Sequence, residues 1–372
     1  MKIIVVGAGI VGLSVALALA DRGHSVIVFD SGDIPNPSSA SHDLNRMMRV
    51  HYGAQGQYAR LAVEAAAAWT ELERRLGHQF YVQVGACLWP GSASGWTSAT
   101  SKTLEDAGIN FDSVPQSSIP RFLNRAALGN GIATQDGGVL LADRVLHALV
   151  ANLASKGVEL RPRVKVVDVN SLDGVVRTTE GSDQADAVVV AVGAWIGMLD
   201  KDLGRRLRAI RSIAAYALPP AEFSADWAAA RCTMIETRES LLYAIPPYPG
   251  APLKLAGTAN LREGDPDRPE PVTQAEISAV VEAFRPYFVG IDGYQIVGSA
   301  VGYYADPPDK RFVVRHVGRT VTISGCGGRM FKFGPLLGAD VADIVSGRAD
   351  VSLLDRWSRG APQDAAIGLM SR

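Results

Sequence analysis

Gly7, Gly9 and Gly12 have the spacing that brings a main chain against a pyrophosphate. Gly7 permits a tight turn, Gly9 lets the backbone approach phosphate oxygens, and Gly12 lets a helix pack close to the strand before it. Ile10 and Val11 open that helix, whose first amides and positive end suit an anion. Asp30, with Ser31 beside it, follows Gly12 by 18 residues, where a carboxylate can accept both hydroxyls of a ribose. The flanks supply the context that such a motif needs. Lys2 to Val6 is a short apolar, β-branched strand, Leu13 to Arg22 is an Ala- and Leu-rich helix closed by Gly23, and Val26 to Phe29 is a second strand. A β-α-β unit that binds a dinucleotide accounts for these residues better than a glycine-rich turn without a ligand.

Glycine returns at two more strand ends. Gly193 and Trp195 follow the apolar run 187–192, and Gly325, Cys326, Gly327, Gly328, Arg329 and Met330 follow the run 321–324. Dinucleotide-contacting loops at the start, middle and end favour FAD, an extended ligand, over NAD.

Elements must carry these loops into register. A long helix is predicted over 57–76, with Leu61, Ala65, Ala68, Trp69 and Leu72 at helical spacing. Further expectations are a strand over 82–90 containing Gly85, a turn over 92–98, a short helix over 103–108 and a helix over 144–156 closed by Gly157. Strands are predicted over 159–169, which includes Val166 as a further cofactor-lining position, and over 175–179. Residues 212–301 alternate short strands with Pro-rich turns around one helix at 274–284. The fold class is therefore α/β: a discontinuous Rossmann-like FAD-binding domain (1–80, 138–211 and 309–372) with an inserted α+β substrate domain (81–137 and 212–308) built on a mixed or antiparallel sheet.

Charge and composition exclude other classes. Lys plus Arg number 37 against 38 acidic residues, which gives no electrostatic basis for binding nucleic acid or an anionic membrane. Apolar residues at 47 % and charged residues at 20 % describe a globular chain. Cys87, Cys232 and Cys326 lie far apart, and no histidine stands at metal-ligand spacing, so neither a disulfide framework nor a metal is expected. The apolar run 3–20 has the look of an export signal, but its glycine spacing makes it the first strand and helix of the nucleotide unit. A cytoplasmic protein is expected.

Several segments carry a more specific likeness. They are Arg46-Met47-Met48-Arg49 with Tyr52-Gly53, Leu253-Lys254-Leu255, Tyr304 with Pro308-Asp309 and Phe312, and Phe331-Lys332-Phe333. In these, and in their order, the chain resembles the FAD-dependent amine oxidases of the D-amino-acid-oxidase superfamily. Within it the likeness is to the group of monomeric sarcosine oxidase, N-methyltryptophan oxidase and the fructosyl amino acid oxidases. The resemblance implies that Arg49 and Lys332 hold the substrate carboxylate and that Lys254 lies over the flavin to activate oxygen. It also places Tyr243 and Tyr304 in the substrate pocket and His42 and Arg46 near the flavin ring. A monomer is implied as well. Without the resemblance, Arg49 and Lys332 read equally as members of salt bridges, Lys254 as a solvent-facing residue, and the tyrosines as core.

Three departures matter. Relatives of the sarcosine oxidase type attach flavin through a cysteine two residues before the position of Tyr304; here that residue is Gly302, so FAD is expected to bind non-covalently. The histidine four residues after the oxygen-activating lysine is Thr258, and the relatives' His-Gly in the C-terminal loop is Arg329-Met330. These changes make sarcosine itself a doubtful substrate, and Arg329 adds a cation able to receive a second acidic group. The expected reaction oxidises an amino acid, a secondary or N-substituted amine, to an imine that water hydrolyses to a carbonyl product, while oxygen becomes hydrogen peroxide. The alternatives are a dehydrogenase of the same fold with another electron acceptor, a non-catalytic flavin-binding subunit and, less compatible with the three glycine loops, an NAD-dependent dehydrogenase.

Overall fold

The computed structural model describes residues 1–93 and 95–360. Ser94 of the expected turn and residues 361–372 of the expected FAD-binding domain lie outside the described residues. The chain opens with the strand Lys2–Val6, the helix Ile10–Asp21 and the strand Ser25–Phe29. These strands sit inside a six-stranded sheet in the order Val313–Val317, Thr320–Ser324, Ala187–Val190, Lys2–Val6, Ser25–Phe29, Glu159–Arg161. All neighbouring pairs are parallel except the outermost, Val313–Val317 with Thr320–Ser324. The central strands are buried on both faces, which explains their unbroken apolar runs. The helix Gly334–Val345 lies against Ile10–Asp21 through its glycines. A Cβ on Gly338 would stand 2.8 Å from the Ser14 carbonyl carbon, so only glycine allows this approach.

A nine-stranded sheet forms the second layer and includes Arg208–Leu218, Cys232–Glu236, Leu241–Ile245, Leu253–Gly257 and Gln295–Asp306. Its pairs are antiparallel except for Cys232–Glu236 with Ala86–Pro90, so of the mixed or antiparallel sheet expected from the sequence it is the mixed form. Gln274–Phe284 begins with a capping box in which Thr273 and Glu276 satisfy each other's backbone amides.

Some boundaries differ from the sequence reading. The division expected at 211/212 falls inside Arg208–Leu218, which pairs along its length with Gln295–Asp306. The strand expected over 82–90 breaks at Gly85, where φ is +77°. Tyr81–Val82 pairs with Gly138–Leu140 next to Arg46–Met48, and Ala86–Pro90 joins the large sheet. The turn and short helix expected over 92–108 form one helix, Gly95–Asp106. It starts where it does because Glu236 accepts the amide hydrogens of Trp96 and Thr97, at 2.8 and 2.7 Å. The strand expected over 159–169 divides into Glu159–Arg161 and Val166–Asn170, in different sheets.

Candidate active site

The first strand turns at Gly7 with φ +102°, and a Cβ there would sit 2.5 Å from the Ala191 carbonyl oxygen. A Cβ on Gly12 would collide with the Gly7 carbonyl oxygen. Strand, helix and the 191–195 loop thus close on one another through glycine alone. Gly9 begins the helix without a side-chain cap, and the Ile10 amide donates to Ser41 Oγ at 3.0 Å. Asp30 is fixed by three donors: Ala8 N–H at 2.8 Å on Oδ2, and Gly32 N–H at 2.9 Å and Asn36 Nδ2 at 2.8 Å on Oδ1. A carboxylate oxygen has room for two donors, so Oδ2 can still accept a hydroxyl.

A cavity of about 460 Å³ runs between the two sheets. The nucleotide layer lines it with Gly7, Gly9, Ile10, Val11, Asp30, Ser31, Val166, Gly193 and Trp195. The large sheet and the last loop line it with Tyr243, Lys254, Gly302, Tyr304, Gly328 and Met330. A glycine cradle, a helix start with glycine at its N-cap and a ribose-type acid on one wall, with a lysine and tyrosines on the other, fit FAD. Gly7–Val11 and Asp30 are the residues that would hold its phosphates and ribose, and the wall that includes Met330 and Lys254 is where its ring would be held. A Cβ on Gly302 would sit in ordinary contact with Ala40 Cα, at 3.6 Å.

Strand alternation presents the reactive face. Leu253 and Leu255 point into the core of the large sheet, with Ala215, Ala217, Leu242 and Ala244, so Lys254 faces the cavity. Its cross-strand neighbours are Tyr216 and Ile245. The Lys254 ammonium, 1 % exposed as a residue, pairs with the Asp43 carboxylate and donates to the Asn45 carbonyl at 3.2 Å. Asp43 also pairs with Arg46 and accepts from the Tyr216 hydroxyl. Burial and the nearby Arg46 charge push Lys254 well below its ordinary value, and the touching carboxylate opposes that shift. Asp43, Tyr216 and Ser41 were not anticipated from the sequence. The one available sign was a carboxylate three residues before Arg46.

A second cavity of about 590 Å³ shares Arg46, Ser212, Tyr243, Lys254, Tyr304, Gly328 and Phe331 with the first. Arg49, Gln55, Thr258, Gly327, Arg329 and Lys332 line it beyond that junction. The Arg49 guanidinium lies 4.8 Å over the Tyr52 ring and 5.5 Å over Trp96, and donates to the His51 carbonyl. Lys332 is placed by its neighbours: Trp69 Nε1 donates to its carbonyl at 2.7 Å, and the Trp69 and Phe331 rings stack at 6.0 Å. The Lys332 ammonium is 5.7 Å from the Tyr52 ring centre and donates to the Arg329 carbonyl at 3.2 Å. Burial and the charges of Arg49, Arg329 and Arg46 push it well below its ordinary value. Among the described residues neither Arg49 nor Lys332 has a carboxylate partner. The buried Tyr52 hydroxyl likewise has no hydrogen-bond partner among them. Burial raises the Tyr243 and Tyr304 hydroxyls above the ordinary tyrosine value, so both stay neutral.

Other predicted positions separate. Gly12 and Gly325 line neither cavity; each is a close-packing residue, Gly325 against Val313 and the Arg311 carbonyl. Gly327, Arg329 and Lys332 line the second cavity and not the first. His42 is corrected: it is exposed and lines neither cavity, because its turn holds it outside with a backbone bond from its amide to Ser39 at 3.1 Å. Among the described residues, no group of three or more His, Cys, Asp and Glu could hold a metal. No described helix is long and apolar enough to cross a membrane.

Residues 2–344 match the family described as FAD dependent oxidoreductase. The chain is 26 % identical over 367 residues to monomeric sarcosine oxidase of Bacillus sp. (strain NS-129), covering 92 % of each chain. Among solved structures it is similar to glycine oxidase from Geobacillus kaustophilus, with a TM-score of 0.80, 20 % identity and coverage of 96 % of this chain and 98 % of that one. It is equally similar to L-proline dehydrogenase from P. horikoshii, with a TM-score of 0.80, 18 % identity and the same coverages. These two likenesses show a shared fold.

Proposed function

Because the chain belongs to the FAD-dependent oxidoreductase family, we propose that it oxidises an amino acid at its CH–NH bond. The substrate is a secondary or N-substituted amine, FAD is bound non-covalently, and oxygen is the final acceptor. One observation carries this reading. The two cavities meet at Tyr243, Lys254 and Tyr304, and just beyond the junction stand Arg49 and Lys332, cations with no carboxylate partner among the described residues. The substrate carboxylate supplies that partner, which fixes the α-carbon at the junction by charge-assisted hydrogen bonds. The relative named monomeric sarcosine oxidase supports the amine as donor.

Bound FAD supplies a two-electron acceptor. The chain supplies position and charge. Arg49 and Lys332 bind and orient the carboxylate, and the Tyr52 hydroxyl is available as a further donor. Tyr243 and Tyr304 wall the reacting carbon and keep water from it. Lys254 stands at the junction, where its ammonium form stabilises charge on reduced oxygen, and Asp43 and the Asn45 carbonyl fix its position. In overall balance the substrate loses two electrons and two protons and becomes an imine, water hydrolyses the imine, and oxygen takes the electrons and protons as hydrogen peroxide.

The Asp43–Lys254 contact also favours a second reading, since a neutralised lysine suits an acceptor other than oxygen. Anaerobic mixing of the holoenzyme with N-alkyl amino acids, followed by air, decides. Bleaching of the flavin absorbance and then peroxide is expected. Bleaching without peroxide would establish the dehydrogenase, and no bleaching with any amine would leave a non-catalytic flavin protein.

A further inference from the structure

Charges around the substrate cavity do not balance. Arg46 and Lys254 share Asp43, and Lys310 pairs with Asp306. At the exposed rim Arg238 and Glu239 are adjacent and opposite. The buried Glu236 is occupied by the start of the helix Gly95–Asp106: it takes the amide hydrogens of Trp96 and Thr97 and the Thr97 hydroxyl. Arg49, Lys332 and Arg329 remain, and among the described residues their hydrogen-bond partners are uncharged.

We infer that the substrate carries two carboxylates, one held by Arg49 and Lys332 and the second by Arg329. This rests on the function proposed above and names its substrate class: an N-substituted amino acid with a second carboxylate a few carbons from the first. A single carboxylate leaves two like charges facing each other in a partly desolvated cavity, where repulsion is weakly screened. A second carboxylate removes that repulsion and gains a charge-assisted contact.

Arg329 is held ready for it. Its guanidinium lies 4.8 Å over the Tyr58 ring and 5.3 Å over Phe312. One terminal nitrogen donates to Gln55 Oε1 at 2.9 Å and the other to the Lys310 carbonyl. These contacts use two of its five N–H donors and fix the plane of the group, leaving donors for a carboxylate. A side chain ordered before binding loses little entropy when the ligand arrives.

The test uses holoenzyme and ligands without an amine, which bind but do not react: butyrate and valerate against succinate and glutarate, titrated by their perturbation of the flavin spectrum. The dicarboxylates are expected to bind about tenfold or more tighter than the monocarboxylates of equal length. Arg329→Gln should bring the ratio close to one, and Arg329→Lys, which keeps the charge, should restore part of it. Equal affinities in the parent, or a ratio that survives Arg329→Gln in folded, flavin-loaded protein, would overturn the inference. Anaerobic flavin reduction by monocarboxylic N-methyl amino acids, measured in parallel, separates this failure from failure of the proposed function.

Discussion

The Asp43 carboxylate holds the Lys254 ammonium between the two sheets, and the same carboxylate also pairs with Arg46 and accepts from the Tyr216 hydroxyl. One negative charge therefore serves two buried cations. Removing one partner of a buried pair leaves an uncompensated charge and costs about 3–5 kcal/mol. Asp43→Asn is expected to lower stability by that order. Lys254→Met should lower it less, because Arg46 still partners Asp43 and the methionine chain fills much of the lysine volume. Urea unfolding of the two variants compares them directly; Asp43→Asn as stable as the parent would mean that the contact contributes no net stability.

The two variants should also change the oxygen reaction. Removing a charged group aimed at developing negative charge costs about 10²–10³ in rate. Lys254→Met should therefore slow reoxidation of the reduced holoenzyme by about that factor and leave anaerobic reduction by substrate nearly intact. Asp43→Asn removes the carboxylate that opposes the burial shift of Lys254, so the lysine gives up its proton more readily and reoxidation should slow as well, more so as pH rises. Stopped-flow mixing with oxygenated buffer measures both. Equal reoxidation rates in Lys254→Met and the parent would take Lys254 out of the oxygen step.

Lys254 was legible in the sequence because Leu253 and Leu255 flank it. Alternation alone turns it away from the core, and the pairing with Tyr216 and Ile245 agrees. The Gly7–Gly12 turn was legible because every step of a β-α-β unit is local. Asp43 has no local signature. It sits in a loop rich in Ser, Pro and Asn, and its partners Tyr216 and Lys254 come from another sheet, 173 and 211 residues along the chain. The start of the helix Gly95–Asp106 was hidden for the same reason: its capping carboxylate, Glu236, lies 140 residues beyond Trp96. Periodicity records which face is apolar, whereas a counter-ion brought in by a second sheet leaves no mark near the residue it serves.

Lys332 gives substrate binding a pH dependence. Burial comes first, then the charges of Arg49, Arg329 and Arg46, and all lower its affinity for a proton in the free protein. A carboxylate bound beside it favours the charged amine, so its pKa rises on binding and a proton is taken up. Affinity is then fully present at pH values where free Lys332 is already protonated. It falls as pH rises past the depressed free-state value and levels off past the bound-state value. For an amine-free carboxylate, log Kd should climb with a slope approaching about one per pH unit in that window. Lys332→Met should flatten the profile and weaken binding at low pH. A flat profile in the parent enzyme would show that Lys332 does not titrate with the ligand.

Gly302 and Cys326 together predict how FAD is held. Both line the first cavity. Position 302 admits a Cβ in ordinary contact with Ala40 but, as glycine, offers no nucleophile. Cys326 carries a thiol, yet burial pushes that thiol above its ordinary value, and the neutral thiol is a poor nucleophile. The expected outcome is therefore non-covalent FAD, held by the Gly7–Val11 cradle, Asp30 and the walls of the cavity. Acid precipitation of the holoenzyme should release all of the yellow colour into the supernatant. Cys326→Ser should carry the same flavin content as the parent. A yellow pellet from the parent that becomes white in Cys326→Ser would locate an attachment at Cys326 and reverse the argument from its protonated thiol.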